Sequence, residues 1–342
     1  MAKTYGGKWK TIESLSEGGQ AHAYIVERLD SDDDETYVLK RLKDPNRIGR
    51  FRNEVEAGLK LRHKNIVEVV DWNLDDKQPY IVTVHCKGGN LAQAKPFEFS
   101  DNGRLLDLFG QICDGVLYAH GENVIHRDIK PDDIFLSKDR TGDTVVGDFG
   151  LCVIQDGERV TLSEEVVGAR NYMATELEDG PPANPSRPVD VYSLGKLLYW
   201  LMSGGHIFSR EKHRQPEFDL VRRDENVYME HVKRLLDHMI VAEPEERWSL
   251  DRIRRQVVLT KRLVMGEYNP VGPDVAARCN YCGIGYYFLV GRDATSAAAA
   301  DFIAPGRPTK WRILVCNECG HSETFRPDIA ANLGHSDSTP WD

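Results

Sequence analysis

Apolar spacing along this chain predicts short strands with one helix among them, then mainly helices, then short strands again. Between residues 9 and 26, two apolar runs flank the small-residue tip Ser16-Glu17-Gly18-Gly19-Gln20, which predicts two strands around a turn. Tyr37-Val38-Leu39 ends on Lys40 and predicts another strand. From Phe51 to Leu61 apolar residues recur at helical spacing, with Glu54 inside the run. Pro79-Tyr80-Ile81-Val82-Thr83-Val84 predicts a strand, and residues 103–121 a long helix. Two further apolar runs, ending at Ile125 and Val146, are short enough for buried strands, and the carboxylates Asp128 and Asp148 follow them. Residues 266–274 carry Gly and Pro and read as a linker. Beyond it, Tyr286–Val290 and Trp311–Val315 are aromatic-rich and predict strands.

Composition narrows the class. The 342 residues suffice for two domains, one of them large. A formal net charge of −10 lacks the basic character of a nucleic-acid binder. Met1-Ala2-Lys3-Thr4-Tyr5 opens without an apolar run, so no signal peptide is expected. No run approaches the roughly 18 apolar residues of a membrane span. The expectation is a cytoplasmic chain, in which the 7 cysteines form no disulfide framework.

The chemistry concentrates in Val124-Ile125-His126-Arg127-Asp128-Ile129-Lys130-Pro131-Asp132-Asp133 and, after a charged turn, Gly147-Asp148-Phe149-Gly150. Phosphoryl transfer needs a carboxylate to take a hydroxyl proton, another to hold Mg²⁺, and a cation for the moving phosphate. Any single Asp here could be a cap or turn residue. Both motifs in this order resemble the catalytic loop and metal loop of eukaryotic-type protein kinases. The resemblance implies that Asp128 is the catalytic base and that Asp148 chelates Mg²⁺. It implies that Lys130, in the Asp-x-Lys-Pro pattern of Ser/Thr kinases, neutralises γ-phosphate charge. Asp133 stands where the family has a metal-binding asparagine. A carboxylate remains a hard ligand for Mg²⁺ or Mn²⁺ but adds charge, so stronger divalent-metal dependence is expected. Asp132 is expected to face solvent.

Upstream, the same resemblance reads the glycine-rich phosphate loop as Ser16, Gly18, Ala21 and Ala23, with only the middle glycine kept. Taken alone, a Gly-Gly hairpin turn explains that stretch equally well. Lys40 is implied to hold the α- and β-phosphates and to pair with Glu54, in preference to Glu56 on another helix face. Ala23 and Val38 exchange the usual valine and alanine over the adenine, conserving volume. Thr83 is implied to gate the back of the nucleotide pocket, with Val84 and Cys86 offering backbone groups to the adenine. Gly58, one turn after Glu54, replaces a large apolar residue, which suggests a loosely held helix.

Downstream, Leu151–Tyr172 is the implied activation segment, with Thr161 and Ser163 as phosphorylation candidates and Arg127 as receiver of the phosphate. Glu164 and Glu165 are alternative fixed anions. Ala169 and Thr175 replace the usual threonine and proline. Glu176 is expected to pair with Arg247, and Asp190 to anchor the catalytic loop.

The tail carries separate chemistry. Cys279-Asn280-Tyr281-Cys282-Gly283 and Cys316-Asn317-Glu318-Cys319-Gly320 are two Cys-x-x-Cys-Gly knuckles, the spacing of a tetrahedral Cys₄ zinc site, and resemble a zinc ribbon. Free core cysteines or a redox pair are the alternatives. Residues 267–342 hold 6 Lys/Arg against 9 Asp/Glu, so a protein-docking or intramolecular role is expected over nucleic-acid binding.

The expected fold class is therefore α+β: a bilobal protein-kinase-like fold followed by a small zinc-ribbon domain. The N-lobe (9–84) is an antiparallel sheet with one helix and the C-lobe (87–262) is helical. A linker (263–278), the ribbon (279–325) and a tail (326–342) follow. ATP, Mg²⁺ (or Mn²⁺) and Zn²⁺ are the expected cofactors, a protein hydroxyl the expected substrate, and no membrane partner is expected. The rival expectations are a nucleotide-binding pseudokinase scaffold and a small-molecule kinase.

Overall fold

A computed structural model describes residues 3–15, 21–31, 35–94, 96, 99, 101–138, 142–154, 171–177, 186–224, 229–265, 287–289, 312–316 and 322–325. They belong to two compact units, Met1–Arg223 with Lys233–Val257, and Asp224–Val232 with Val258–Asp342.

The first unit opens with strands β1 (Thr4–Tyr5), β2 (Trp9–Ser14), β3 (Ala21–Arg28) and β4 (Thr36–Leu42), helix α1 (Ile48–Lys60), and strands β5 (Val69–Asn73) and β6 (Tyr80–Val84). They form one six-stranded sheet in the order β1-β2-β3-β4-β6-β5. The short edge strand β1 was not legible in the apolar pattern. Alternation along each strand divides the sheet into two faces. Trp9, Val26, Tyr37, Leu39, Tyr80 and Val82 pack together on one face, and Trp9 donates its indole N–H to Asp71 Oδ2 at 2.7 Å. Directly opposed residues share a face, and the register pairs Ala23 with Lys40, Lys40 with Ile81 and Val38 with Thr83. Ala21, Ala23, Val38, Lys40 and Thr83 therefore lie together on the second face, part of which α1 covers.

Helix α1 follows a single turn, Pro45–Arg47, that Asp44 caps by accepting from the Asn46 N–H at 3.0 Å. Its residues separate by the 3.6-residue period. Phe51 and Val55 pack on Leu42 and Ile81 of the sheet, while Asn53, Glu54 and Ala57 are buried on an adjoining face. Gly58 corrects the expectation of a loose helix. A Cβ there would overlap Val69 Cγ2 and lie 2.8 Å from Val69 Cβ. The missing side chain brings α1 close to β5 and leaves no gap beneath it.

The rest of this unit is mainly helical. After the short α2 (Leu91–Ala94), α3 (Asn102–Gly121) begins at Asp101, whose carboxylate accepts from the Arg104 N–H at 2.8 Å. Strands β7 (Val124–Ile125), β8 (Ile134–Leu136), β9 (Thr144–Val146) and β10 (Val153–Ile154) pair as β8 with β9 and β7 with β10. Helix α4 (Pro188–Met202) is buried at every residue from Val189 to Met202, as expected of a helix apolar on all sides. Helices α5 (Leu220–Asp224), α6 (Met229–Met239) and α7 (Leu250–Val264) follow, each divided between the two units. Arg254 on α7 grips Asp114 on α3 with two hydrogen bonds of 2.7 and 3.0 Å. Asn65 joins sheet and helices: its side-chain amide donates to Thr144 O at 2.7 Å, and its carbonyl accepts from Val146 N–H at 2.8 Å.

In the second unit β11 (Tyr287–Leu289), β12 (Arg312–Cys316) and β13 (Ser322–Phe325) form an antiparallel sheet with β12 central. The first two fall within the aromatic-rich runs. The third, Ser322-Glu323-Thr324-Phe325, gave too little apolar signal to be anticipated.

Candidate active site

The β8–β9 hairpin sets the centre of the site. Its register pairs Ile134 with Val146, so Asp133 precedes one strand where Gly147 and Asp148 leave the other. The Gly147 N–H donates to Asp133 O at 2.9 Å and closes that end. His126 fastens the catalytic loop to the same place. Its Nε2–H donates to Gly147 O at 2.9 Å, while Nδ1 accepts from the Asp128 N–H at 3.3 Å, which assigns the neutral tautomer. Phe149 packs on that imidazole, ring centroids 4.6 Å apart. Asp148 itself is left-handed, with φ 57° and ψ 63°, and heads the single turn Phe149–Leu151.

From the sheet side, Lys40 Nζ donates to Glu54 Oε1 at 2.6 Å. From the helical side, Lys130 Nζ pairs with Asp128 Oδ2 and lies 3.1 Å from Asp133 Oδ2, the latter without hydrogen-bond geometry. Four carboxylates (Glu54, Asp128, Asp133 and Asp148) and two ammonium groups thus meet in one cleft. Burial alone would lower Lys40, but Glu54 and then Asp148 outweigh it and hold its pKa above the usual lysine value. Asp148 is held below the carboxylate range, because Lys40 and then Lys130 outweigh its burial. Asp133 goes the other way: burial and then the Asp148 charge push it well up, against Lys130. Burial also raises Asp128, and Lys130 opposes it.

Most described N-terminal candidates reach this cleft by strand register, as the shared face of Ala21, Ala23, Val38, Lys40 and Thr83 shows. Ala21, Ala23 and Val38 are only half-buried in the middle of a sheet, which leaves apolar surface for a ligand, while Thr83 is buried. Val84 N–H donates to Glu68 O, and Cys86 O accepts from Gly89 N–H. The carboxylates Asp133 and Asp148 match what Mg²⁺ needs when phosphates supply its other ligands, and Asp133 Oδ2 has no hydrogen-bond partner among the described residues.

Ser16, Gly18, Thr161, Ser163, Glu164, Glu165, Ala169, Cys279, Cys282 and Cys319 lie outside the described residues. Cys316 is the last residue of β12. Among the described residues no group of three His, Cys, Asp or Glu side chains forms a metal cluster. Asp132 is exposed. Arg127 is 9% exposed, has φ 71°, and keeps a buried Nε without a hydrogen-bond partner among the described residues.

The scaffold beneath the cleft is complete. Asp190 accepts from the backbone N–H groups of His126 and Arg127 at 2.9 and 2.7 Å, and from His120 Nε2–H at 2.8 Å. Arg247 holds Glu176 with two hydrogen bonds of 2.6 and 2.8 Å. Sequence reasoning assigned no role to His120, whose only signal was a buried-helix position near the loop.

The protein kinase domain family matches residues 9–259. This chain belongs to the protein kinase family. It is 27% identical to Serine/threonine-protein kinase PrkC of Bacillus subtilis over 73% of this chain and 40% of that one. It is 30% identical to Serine/threonine-protein kinase pkn3 of Myxococcus xanthus over 60% of this chain and 39% of the relative. With Serine/threonine-protein kinase Nek1 of mouse it shares 27% identity over 75% of this chain and 22% of that protein. The chain therefore spans well under half the length of these relatives. The protein kinase fold, with its curled sheet and helices, implies ATP and Mg²⁺ as ligands of the cleft. Among the described residues no helix is long and apolar enough to cross a membrane.

Proposed function

We propose that this protein kinase transfers the γ-phosphoryl group of ATP to serine or threonine hydroxyls of proteins. The carrying observation is the convergence of Lys40–Glu54 from the sheet with Asp128, Asp133 and Asp148 from the β7–β9 region. Asp148 and Asp133 would hold Mg²⁺, which would supply charge neutralisation at the phosphates. Lys40, kept cationic by Glu54, holds the α- and β-phosphates. Asp148, kept ionised by the two lysines, and Asp133 offer oxygen ligands to the metal. Asp128 orients the substrate hydroxyl and accepts its proton. Val84 O and Cys86 N–H orient the adenine, over which Ala23 and Val38 pack. Transfer of label from γ-labelled ATP to the chain or a test protein should fall at least about 100-fold in Asp128→Ala. Equal transfer by a folded Asp128→Ala would remove the proposal.

One observation favours the scaffold reading: Lys130 is engaged by Asp128 and by Asp133, so the base is masked in this arrangement. Nucleotide binding without label transfer in wild type would establish that reading.

We also propose that Cys279, Cys282, Cys316 and Cys319 bind Zn²⁺. The strand register supports this reading. Tyr287, the first residue of β11, pairs with Cys316, and Val315 pairs with Ser322 at the start of β13. The first residue of β11 therefore lies beside Cys316, at the end of the sheet where β12 ends and β13 begins. A domain this small would depend on its metal to fold, and its acidic balance suits protein docking. Metal analysis should find one zinc per chain and lose it in Cys316→Ser. Unchanged zinc content would reject the site.

A further inference from the structure

Asn53 is unexpected where it sits. It occupies the interior of α1, is only 7% exposed, and belongs to a residue type that helix interiors disfavour. A buried amide is retained only when its polar atoms are used. Here the side-chain Nδ2 donates to Gly150 O and to Cys152 O, each at 3.4 Å. Gly150 lies within the turn that follows Asp148 directly, and Cys152 just after it. The neighbouring residue on the helix, Glu54, holds Lys40. Asn53 and Glu54 therefore reach two different parts of the cleft from one helical turn, and Phe51, Val55 and Gly58 fix that turn against the sheet.

We propose that Asn53 is a positioning residue that locks α1 to the metal loop, so that Lys40 and Asp148 take up their nucleotide-binding arrangement together. The proposal rests on the reading that these two residues hold Mg²⁺·ATP. Each hydrogen bond is long and individually weak. Both donors come from one amide, however, and losing it leaves two carbonyls to find new partners. Asp148 carries a left-handed backbone, and the turn after it is what keeps that conformation aimed at the cleft. Without the amide, helix and metal loop can shift separately. The binding-competent fraction then falls, and apparent affinity falls with it. The adenine end, built from β6 and the residues after it, does not pass through Asn53.

The test is a binding comparison on the full chain, read without turnover. Wild type, Asn53→Leu and Asn53→Asp are titrated with Mg²⁺·ATP and, separately, with adenosine. Leu keeps the volume without donors. Asp keeps the shape but turns the donor atom into an acceptor facing two carbonyl oxygens. The expected result is a weakening of Mg²⁺·ATP binding by roughly 5- to 20-fold in Asn53→Leu and by more in Asn53→Asp. Adenosine affinity should stay within about twofold, and Asn53→Gln, which restores an amide, should recover part of the loss. Wild-type affinity for Mg²⁺·ATP in both folded variants would overturn the inference. So would an equal loss of adenosine binding, because that marks general disorder of the fold. Wild type that binds neither ligand would instead sink the kinase reading beneath it.

Discussion

Two buried aspartates, Asp190 and Asp133, differ in what surrounds them, and the difference separates scaffold from site. Asp190 is 0% exposed and accepts three hydrogen bonds, from two backbone amides and His120. Although burial works against its charge, the His120 hydrogen bond and charge hold it below the carboxylate range. Asp133 is 4% exposed, shares Lys130 with Asp128, and keeps one oxygen without a hydrogen bond among the described residues. A satisfied buried charge stabilises the fold around it, whereas an unsatisfied one costs stability and persists where a ligand completes it.

The sharpest way to break this comparison is to remove each carboxylate. Asp190→Ala should lose about 3–5 kcal/mol, since two backbone amides and an imidazole are left without their acceptor. Urea unfolding measures it, and a loss below about 1 kcal/mol would make Asp190 no different from a surface acid. Gly58→Leu should cost about 1–3 kcal/mol despite the gain in helix propensity, because Val69 occupies the space. A raised melting temperature would show that α1 has room to move after all.

Asp133→Asn should change stability of the metal-free chain by less than about 1 kcal/mol, in either direction. Its effect should appear in the Mg²⁺ titration of label transfer, as a several-fold rise in the half-saturating concentration and weaker discrimination for Mn²⁺. An unchanged titration would mean that Asp133 is scaffold like Asp190.

Acid sharpens the contrast further. The depressed folded pKa of Asp190 means that the unfolded chain takes up its proton first as pH falls. Its contribution is therefore complete above about pH 4 and is lost as pH falls through the lower folded value. Asp190→Asn should flatten that part of the stability profile. A base contributes on the acid side as well. His238 stacks on Trp248 at 3.8 Å, and burial, then Arg234 and Arg252, push it down to about 4. The unfolded imidazole protonates near 6.5, so this site should lose stability as pH falls from about 6.5 to 4 and contribute no pH dependence above that. His238→Gln should remove roughly 1 kcal/mol of that acid-side loss, the half-exposed site being partly screened.

Much of the site was legible before the structure. His126-Arg127-Asp128, Asp148-Phe149-Gly150, Lys40 and Glu54 could be picked out in order, because they resemble the ordered motifs of the protein kinase family. Gly58 was read as loosening α1, because the space beside a glycine depends on a strand eleven residues further along. Asn53 passed unnoticed, because a polar residue in a helix looks solvated until the opposing carbonyls are seen. His120 passed unnoticed for the same reason.

The main elements, the residues that resemble kinase motifs and the two cysteine knuckles follow from the chain alone, since local period, motif and spacing encode them. Which carboxylate is satisfied and which is left open does not. That depends on hairpin register, on where a helix amide meets a distant carbonyl, and on how burial divides charge among neighbours. Those quantities exist only once remote segments are packed together, and they are what distinguishes Asp133 from Asp190.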